Sequence, residues 1–157
     1  MATPYPAIRC LVKDSNATVP GTRRIMTKAF GIDSDMKPPI ILNEHARMDA
    51  SGDLRVYDTI DLAEMSSESY DASDDSLHAF DSEGRLLKIV ADQDGGAHLE
   101  PAEANPQHRD TLLKILRDFL VRHGEPEAAV EQMTLESLVK AARDKNPNPY
   151  KGQKKSK

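Results

Sequence analysis

The sequence predicts an α+β protein, with an antiparallel β-meander of about five strands packed against a long C-terminal amphipathic helix plus shorter helices. Three observations lead there. Between residues 40 and 99, apolar residues alternate with polar ones in short runs separated by turn formers, the pattern of half-buried strands. From residue 106 to 123 the spacing changes to threes and fours, the period of an amphipathic helix. The chain has 157 residues, close to the size of one domain of roughly 100–150 residues. Residues 1–145 are accordingly expected to form a single α+β domain, and 146–157 a flexible Lys-rich C-terminal tail.

The elements follow in order. Ala7 to Lys13 reads as a first strand, left through a polar loop that ends at Val19-Pro20-Gly21. Thr22 caps a short helix with Ile25, Met26, Ala29 and Phe30 on one face and Gly31 as its stop. Pro38-Pro39 forbids further helix. Ile40, Leu42, Glu44, Ala46 and Met48 then share one side of an extended segment. Asp49 to Asp53 is rich in turn formers, and Leu54, Val56, Asp58 and Ile60 alternate on the return. This predicts a hairpin with one half-buried face. A second hairpin runs from Leu77 to Phe80, turns at Asp81-Ser82-Glu83-Gly84 and returns over Arg85 to Ala91. Asp92-Gln93-Asp94-Gly95-Gly96 then leads into Ala97-His98-Leu99.

The helix from about Pro106 to His123 has Asn105 as its expected cap and Pro106 at the first position, where a missing N–H costs nothing. Leu112, Leu113, Ile115, Leu116, Phe119 and Leu120 form its stripe, and Gly124 ends it. A short helical turn after Pro126 and a last helix capped by Thr134, with Leu135, Leu138, Val139 and Ala142 inward, complete the fold. Asn146-Pro147-Asn148-Pro149 breaks that helix. With no Trp, three Phe and four Tyr, the core is expected to be aliphatic.

Charge is the most distinctive feature. From Val56 to Gly84 there are nine acidic residues (Asp58, Asp61, Glu64, Glu68, Asp71, Asp74, Asp75, Asp81 and Glu83) and no Lys or Arg. From Lys145 onward there are five Lys and no acid; taking those five from the net charge of −5 leaves −10 on residues 1–144. An acidic surface steers a basic partner, whereas a lysine tail holds phosphates. The bland alternatives are a solvated connection between hairpins and a solubilising end.

No motif supplies catalytic chemistry. Cys10, the only cysteine, sits in an apolar run and reads as a small buried hydrophobe. His108-Arg109-Asp110 spells the start of a kinase catalytic loop, but Ile115 stands where that loop needs Asn. None of the five histidines has Cys or His at zinc-ligand spacing, although His78 and His98 are candidates to meet across adjacent strands. Asp92 to Gly96 resembles a calcium-loop fragment without its distal Glu. Gly21 before Arg23 and Arg24 is a weak anion-site candidate. Asn16-Ala17-Thr18 is a glycosylation sequon, but Met1 to Pro6 carries neither the basic region nor the apolar stretch expected of a signal peptide, and no run approaches the ~18 apolar residues of a membrane span. A cytoplasmic protein without cofactor, metal or membrane association is expected.

Three functions compete. The favoured one is a non-enzymatic protein-interaction module whose acidic surface binds and masks or recruits a basic protein. Size, acidity and lack of chemistry resemble an immunity protein, an antitoxin or a phage-encoded inhibitor. Its binding residues would be the nine acids above, with Tyr57, Tyr70 or Phe80 as anchors. The second is a small enzyme or ligand-binding protein without a recognisable motif. The third is a nucleic-acid-associated protein acting through the C-terminal helices and the Lys tail. The acidic body and the few aromatics for base stacking speak against this last one.

Overall fold

Among the described residues, five short apolar runs pair into one antiparallel sheet and four helices cover its faces. The computed structural model describes residues 36–147. The expected first strand at Ala7–Lys13, the helix from Thr22, Cys10, the sequon, the Arg23–Arg24 pair and the Lys151–Lys157 tail all lie outside the described residues. The strands are β1 (Ile40–Glu44), β2 (Asp53–Tyr57), β3 (His78–Phe80), β4 (Leu86–Ala91) and β5 (Ala97–Pro101). The helices are α1 (Ile60–Ser66), α2 (Arg109–Arg122), α3 (Glu127–Glu131) and α4 (Leu135–Lys145), with a 3₁₀ turn at Ser69–Ser73.

The sheet order is β2-β1-β3-β4-β5, with every neighbouring pair antiparallel. This differs from a simple meander. After β2 the chain passes through α1 and the 3₁₀ turn, then inserts β3 beside β1, so that Ile41 lies opposite both Val56 and Phe80. The result makes β1 a central strand. Its Ile40-Ile41-Leu42 run is a continuous apolar stretch because both faces are covered. Ile41 joins Leu54, Val56 and Phe80 in the cluster beneath α2, α3 and α4. Ile40 and Leu42 point the other way, with Tyr57, Ala63, Ala79, Leu87 and Leu99. The expectation of a hairpin buried on one face is thus corrected: Ile40 and Leu42 do not share a face with Leu54 and Val56.

The segment after β2, expected to continue as strand through Ile60, turns instead into α1. Thr59 accepts a hydrogen bond from the Leu62 N–H (3.2 Å), the ordinary capping arrangement for a helix start. Helix α2 begins at Arg109, three residues later than Pro106, and Asn105 does not cap it. The physical reason is a competing set of partners. The His108 N–H donates to the Gly84 carbonyl (2.9 Å), and Glu103 Oε1 accepts from the Gln107 and Leu86 N–H groups, each at 3.0 Å. One carboxylate therefore ties the approach to α2 onto the start of β4.

Leu112, Ile115, Leu116, Phe119 and Leu120 of α2 are buried, as are Leu135, Leu138, Val139 and Ala142 of α4. The helical layer is thus shared between α2 and α4, with Val130 of α3 buried in the same cluster. Each large aliphatic side chain fully withdrawn from water contributes about 1.5–3 kcal/mol. Thr134 caps α4 through a bond from the Ser137 N–H (3.3 Å), as its sequence position predicts.

Both sheet edges are blunted by side chains. On β2, Asn146 Nδ2 donates to the Leu54 carbonyl (2.6 Å). On β5, the Leu99 N–H donates to Glu64 Oε1 (3.1 Å), and Pro101, two residues on, carries no N–H. The β1–β2 loop is held from inside by buried Asn43, which donates to the Ala50 carbonyl and accepts from the Gly52 N–H. From outside, Lys114 reaches the Asp49 carbonyl (2.7 Å), and Arg122 reaches Ser51 and the Gly52 carbonyl.

Candidate functional site

The acidic stretch from Asp58 to Glu83 is the candidate, and the sheet register decides how much of it forms one surface. Tyr57 pairs with Ile40 and Phe80 with Ile41, whereas His78 pairs with Asn43 near the other end of β1. Asp58, Asp81 and Glu83 therefore lie at one end of the sheet. The connection that returns the chain to His78, with Asp71, Asp74 and Asp75, lies at the other. A strand advances about 3.3 Å per residue, so the two groups are separated by the length of β1. A run continuous in sequence becomes two clusters in space.

At the first end the charges are largely answered. Asp58 pairs with Arg143 of α4 (2.9 Å) and Glu83 with Lys37 (2.9 Å). Asp81 is fully buried. Its Oδ1 accepts from the Glu83 and Arg85 N–H groups, each at 2.9 Å, its Oδ2 accepts from the Lys37 N–H (3.3 Å), and buried Arg85 stands 3.8 Å away. Asp81 is thus a rivet of the β3–β4 turn. Tyr57 and Phe80, expected as surface anchors, are also fully buried, so neither presents a ring to a partner. Of Tyr70 only the backbone place is described, within the 3₁₀ turn.

The remaining acids belong to the connection between β2 and β3. Asp61 is exposed in the first turn of α1, where a negative charge favours the helix dipole. Glu64 is committed to the β5 edge. Glu68 and Asp71 form a capping box around the 3₁₀ turn, with the Glu68 N–H 2.7 Å from Asp71 Oδ2. Asp74 and Asp75 are exposed. Hydrogen bonds from the Ser76 hydroxyl and N–H hold the Asp74 carboxyl below the usual carboxylate range. Close by, burial pushes Glu44 upward against the lowering charge of Arg55 and His45, with Asp71 and Asp53 adding to the rise. Of the nine acids, Asp58, Asp61, Glu68, Asp74 and Asp75 are exposed, Asp58 in its pair with Arg143, and Asp71 is half-buried.

The other sequence candidates resolve simply. His78 on β3 and His98 on β5 are separated by β4 and cannot meet, which corrects their expected approach across adjacent strands. Among the described residues, no group of three His, Cys, Asp or Glu side chains is placed to hold a metal ion. His108 marks the start of α2 and sets its ring edge-on to Phe80, with centroids 6.5 Å apart. An open groove of about 350 Å³ runs between α2 and α3, lined by Arg117, Val121, Arg122, Val130 and Glu131 among others. Arg117 spans it by donating to the Glu131 carbonyl (3.2 Å). Among the described residues, no helix is long and apolar enough to cross a membrane.

Two arrangements escape motif reasoning. Glu103 lies two residues before the expected cap, where no capping rule looks for it. His98 holds two carboxylates, Asp92 and Glu100. Its spacing from Glu100 places both on one strand face, but only the hairpin fold brings Asp92 to its other side.

No protein family, curated protein or solved structure matches the chain.

Proposed function

We propose that the protein is a non-enzymatic interaction module that docks a basic protein partner on the acidic connection between β2 and β3, masking or recruiting it. One observation carries this. Residues 56–84 hold nine acids and no Lys or Arg, and Glu68, Asp74 and Asp75 are exposed on the 3₁₀ turn and the loop before β3. Surface fields of one sign raise encounter rates by roughly 10–10³-fold and select partners of opposite charge. The binding residues in this reading are Asp61, Glu68, Asp71, Asp74 and Asp75, while Asp58, Glu64, Asp81, Glu83 and Tyr57 support the scaffold. A partner held this way leaves as salt rises, because exposed charges are screened within about 8–10 Å at physiological ionic strength.

The test is a tagged pull-down from lysate of the source organism at low and high salt, run beside an Asp61→Lys/Asp74→Lys/Asp75→Lys variant whose circular dichroism matches the parent. A basic protein recovered by the parent at low salt, and lost both at high salt and with the variant, is the expected result. The same proteins recovered with both chains, or none with either, overturns the proposal. Recovery of nucleic acid instead would shift the function to the C-terminal helices and lysine tail.

A further inference from the structure

The β4–β5 hairpin carries a three-residue cluster that the docking function does not use. His98 sits on β5 directly opposite Val90. Its Nδ1 is 2.8 Å from Asp92 Oδ1 in the turn, and its Nε2 is 3.2 Å from Glu100 Oε1 on the same strand. Glu100 in turn holds Lys88 of β4 (3.0 Å). An ionised carboxylate only accepts hydrogen bonds, and a neutral imidazole has a single N–H to donate. Both contacts are therefore hydrogen bonds together only when His98 carries two ring protons. We propose that Asp92, His98 and Glu100 form a proton-operated clamp, in which the doubly protonated imidazole ties the 92–96 turn to β5 and loss of one proton releases one side.

The electrostatics around the ring agree with this geometry. Partial burial alone would lower the affinity of His98 for its proton. The hydrogen bonds and charges of Asp92 and Glu100 outweigh that, leaving its pKa above the ordinary histidine value. Bonds from Lys88 and His98 hold Glu100 below the usual range. The other charged groups on the surrounding elements are Asp94 in the turn, Glu68 at its bridge to Gly96, and Glu64 at the Leu99 N–H. All three are acidic, and the cation of the facing strand, Lys88, is paired with Glu100.

A raised histidine pKa contributes stability that is complete below the unfolded value of about 6.5 and is lost as pH rises through the folded value. The depressed Glu100 contributes above the ordinary carboxylate value of about 4.3. The clamp is thus firmest in the mildly acidic window between them. It reaches beyond the hairpin, because the Ser69 N–H donates to the Gly95 carbonyl (3.3 Å) and Glu68 bridges Gly96. Opening the turn loosens the 3₁₀ segment tied to it.

The experiment is an NMR titration of the full chain from about pH 5 to about pH 9, with His98 signals assigned by their loss in His98→Gln. Both His98 ring nitrogens should carry protons at the acidic end, with a midpoint above that of an unperturbed histidine. Asp92→Asn and Glu100→Gln should each move the midpoint down. The Ser69 and Asp92 amides, which donate to the Gly95 and Gly96 carbonyls, corrected for intrinsic exchange, should lose protection as pH passes the midpoint in the parent and show no such step in His98→Gln. A His98 midpoint at or below the ordinary value, or an identical protection step in His98→Gln, overturns the clamp. Neither readout requires a partner, so the result is independent of the docking proposal.

Discussion

The two turns that flank β4 have the same local chemistry and opposite surroundings. Asp81-Ser82-Glu83-Gly84 and Asp92-Gln93-Asp94-Gly95 each place Gly at a positive φ, +86° and +89°, and each close with the Gly N–H on the Asp carbonyl, at 3.1 and 3.3 Å. In the first, the Asp carboxylate is fully buried and accepts three backbone N–H groups. A Cβ on Gly84 would stand 2.5 Å from the Arg109 Cα. In the second, the Asp side chain is 37% exposed and spends its carboxylate on His98, and a Cβ on Gly95 would meet nothing within 4 Å. Turn residues determine that the chain reverses. Whether the turn becomes a fixed part of the core or a responsive surface depends on what the fold presses against it.

Substitutions at matched positions test that contrast. The largest difference is expected between Asp81→Ala and Asp92→Ala. The first strands buried N–H groups and leaves Arg85 without its carboxylate, which costs about 3–5 kcal/mol. The second removes an exposed pair and costs under about 1 kcal/mol. Chemical denaturation of the two variants reads both, and equal losses would break the comparison. Next come the glycines. Gly84→Ala combines left-handed strain with a backbone clash against the start of α2 and should cost about 2–3 kcal/mol, whereas Gly95→Ala should show only the strain, about 1 kcal/mol. Thermal melts that rank Gly95→Ala as the worse variant would mean that contact with α2 does not anchor the first turn.

A smaller effect concerns the sheet edges. Asn146→Ala frees the Leu54 carbonyl on β2 and should cost about 1 kcal/mol, with stronger self-association at high concentration. Light scattering separates that outcome from simple loss of stability. The smallest is the pH effect on the second turn. Between about pH 6 and pH 9 the parent should lose stability relative to His98→Gln, by less than about 1 kcal/mol because the groups are exposed and screened.

Much of the sheet and helices could be read from residues whose signals are local. Both hairpins, the turns at Asp81 and Asp92, the stripe on α2 and the Thr134 cap of α4 follow from periodicity and turn chemistry, which act over a few residues. Less could be read where distant groups compete. Asn105-Pro106 has the form of a helix start, yet Gly84 and Glu103 offer better partners a few residues on. Thr59 caps a helix that the strand-like alternation of Leu54, Val56, Asp58 and Ile60 conceals. The candidate site suffered most, because nine acids adjacent in sequence look like one surface.

By itself, then, the sequence determined the α+β class, the positions of the turns and the excess of acid between Val56 and Gly84, since each depends on composition or short-range geometry. Only the tertiary structure decided that β3 inserts beside β1, burying Tyr57, Phe80 and Asp81 and dividing the acids between opposite ends of the sheet. It also decided that Asp92 meets His98. The physical reason is the same throughout: strand pairing joins residues far apart along the chain, and burial is a property of the assembled faces that no residue carries alone.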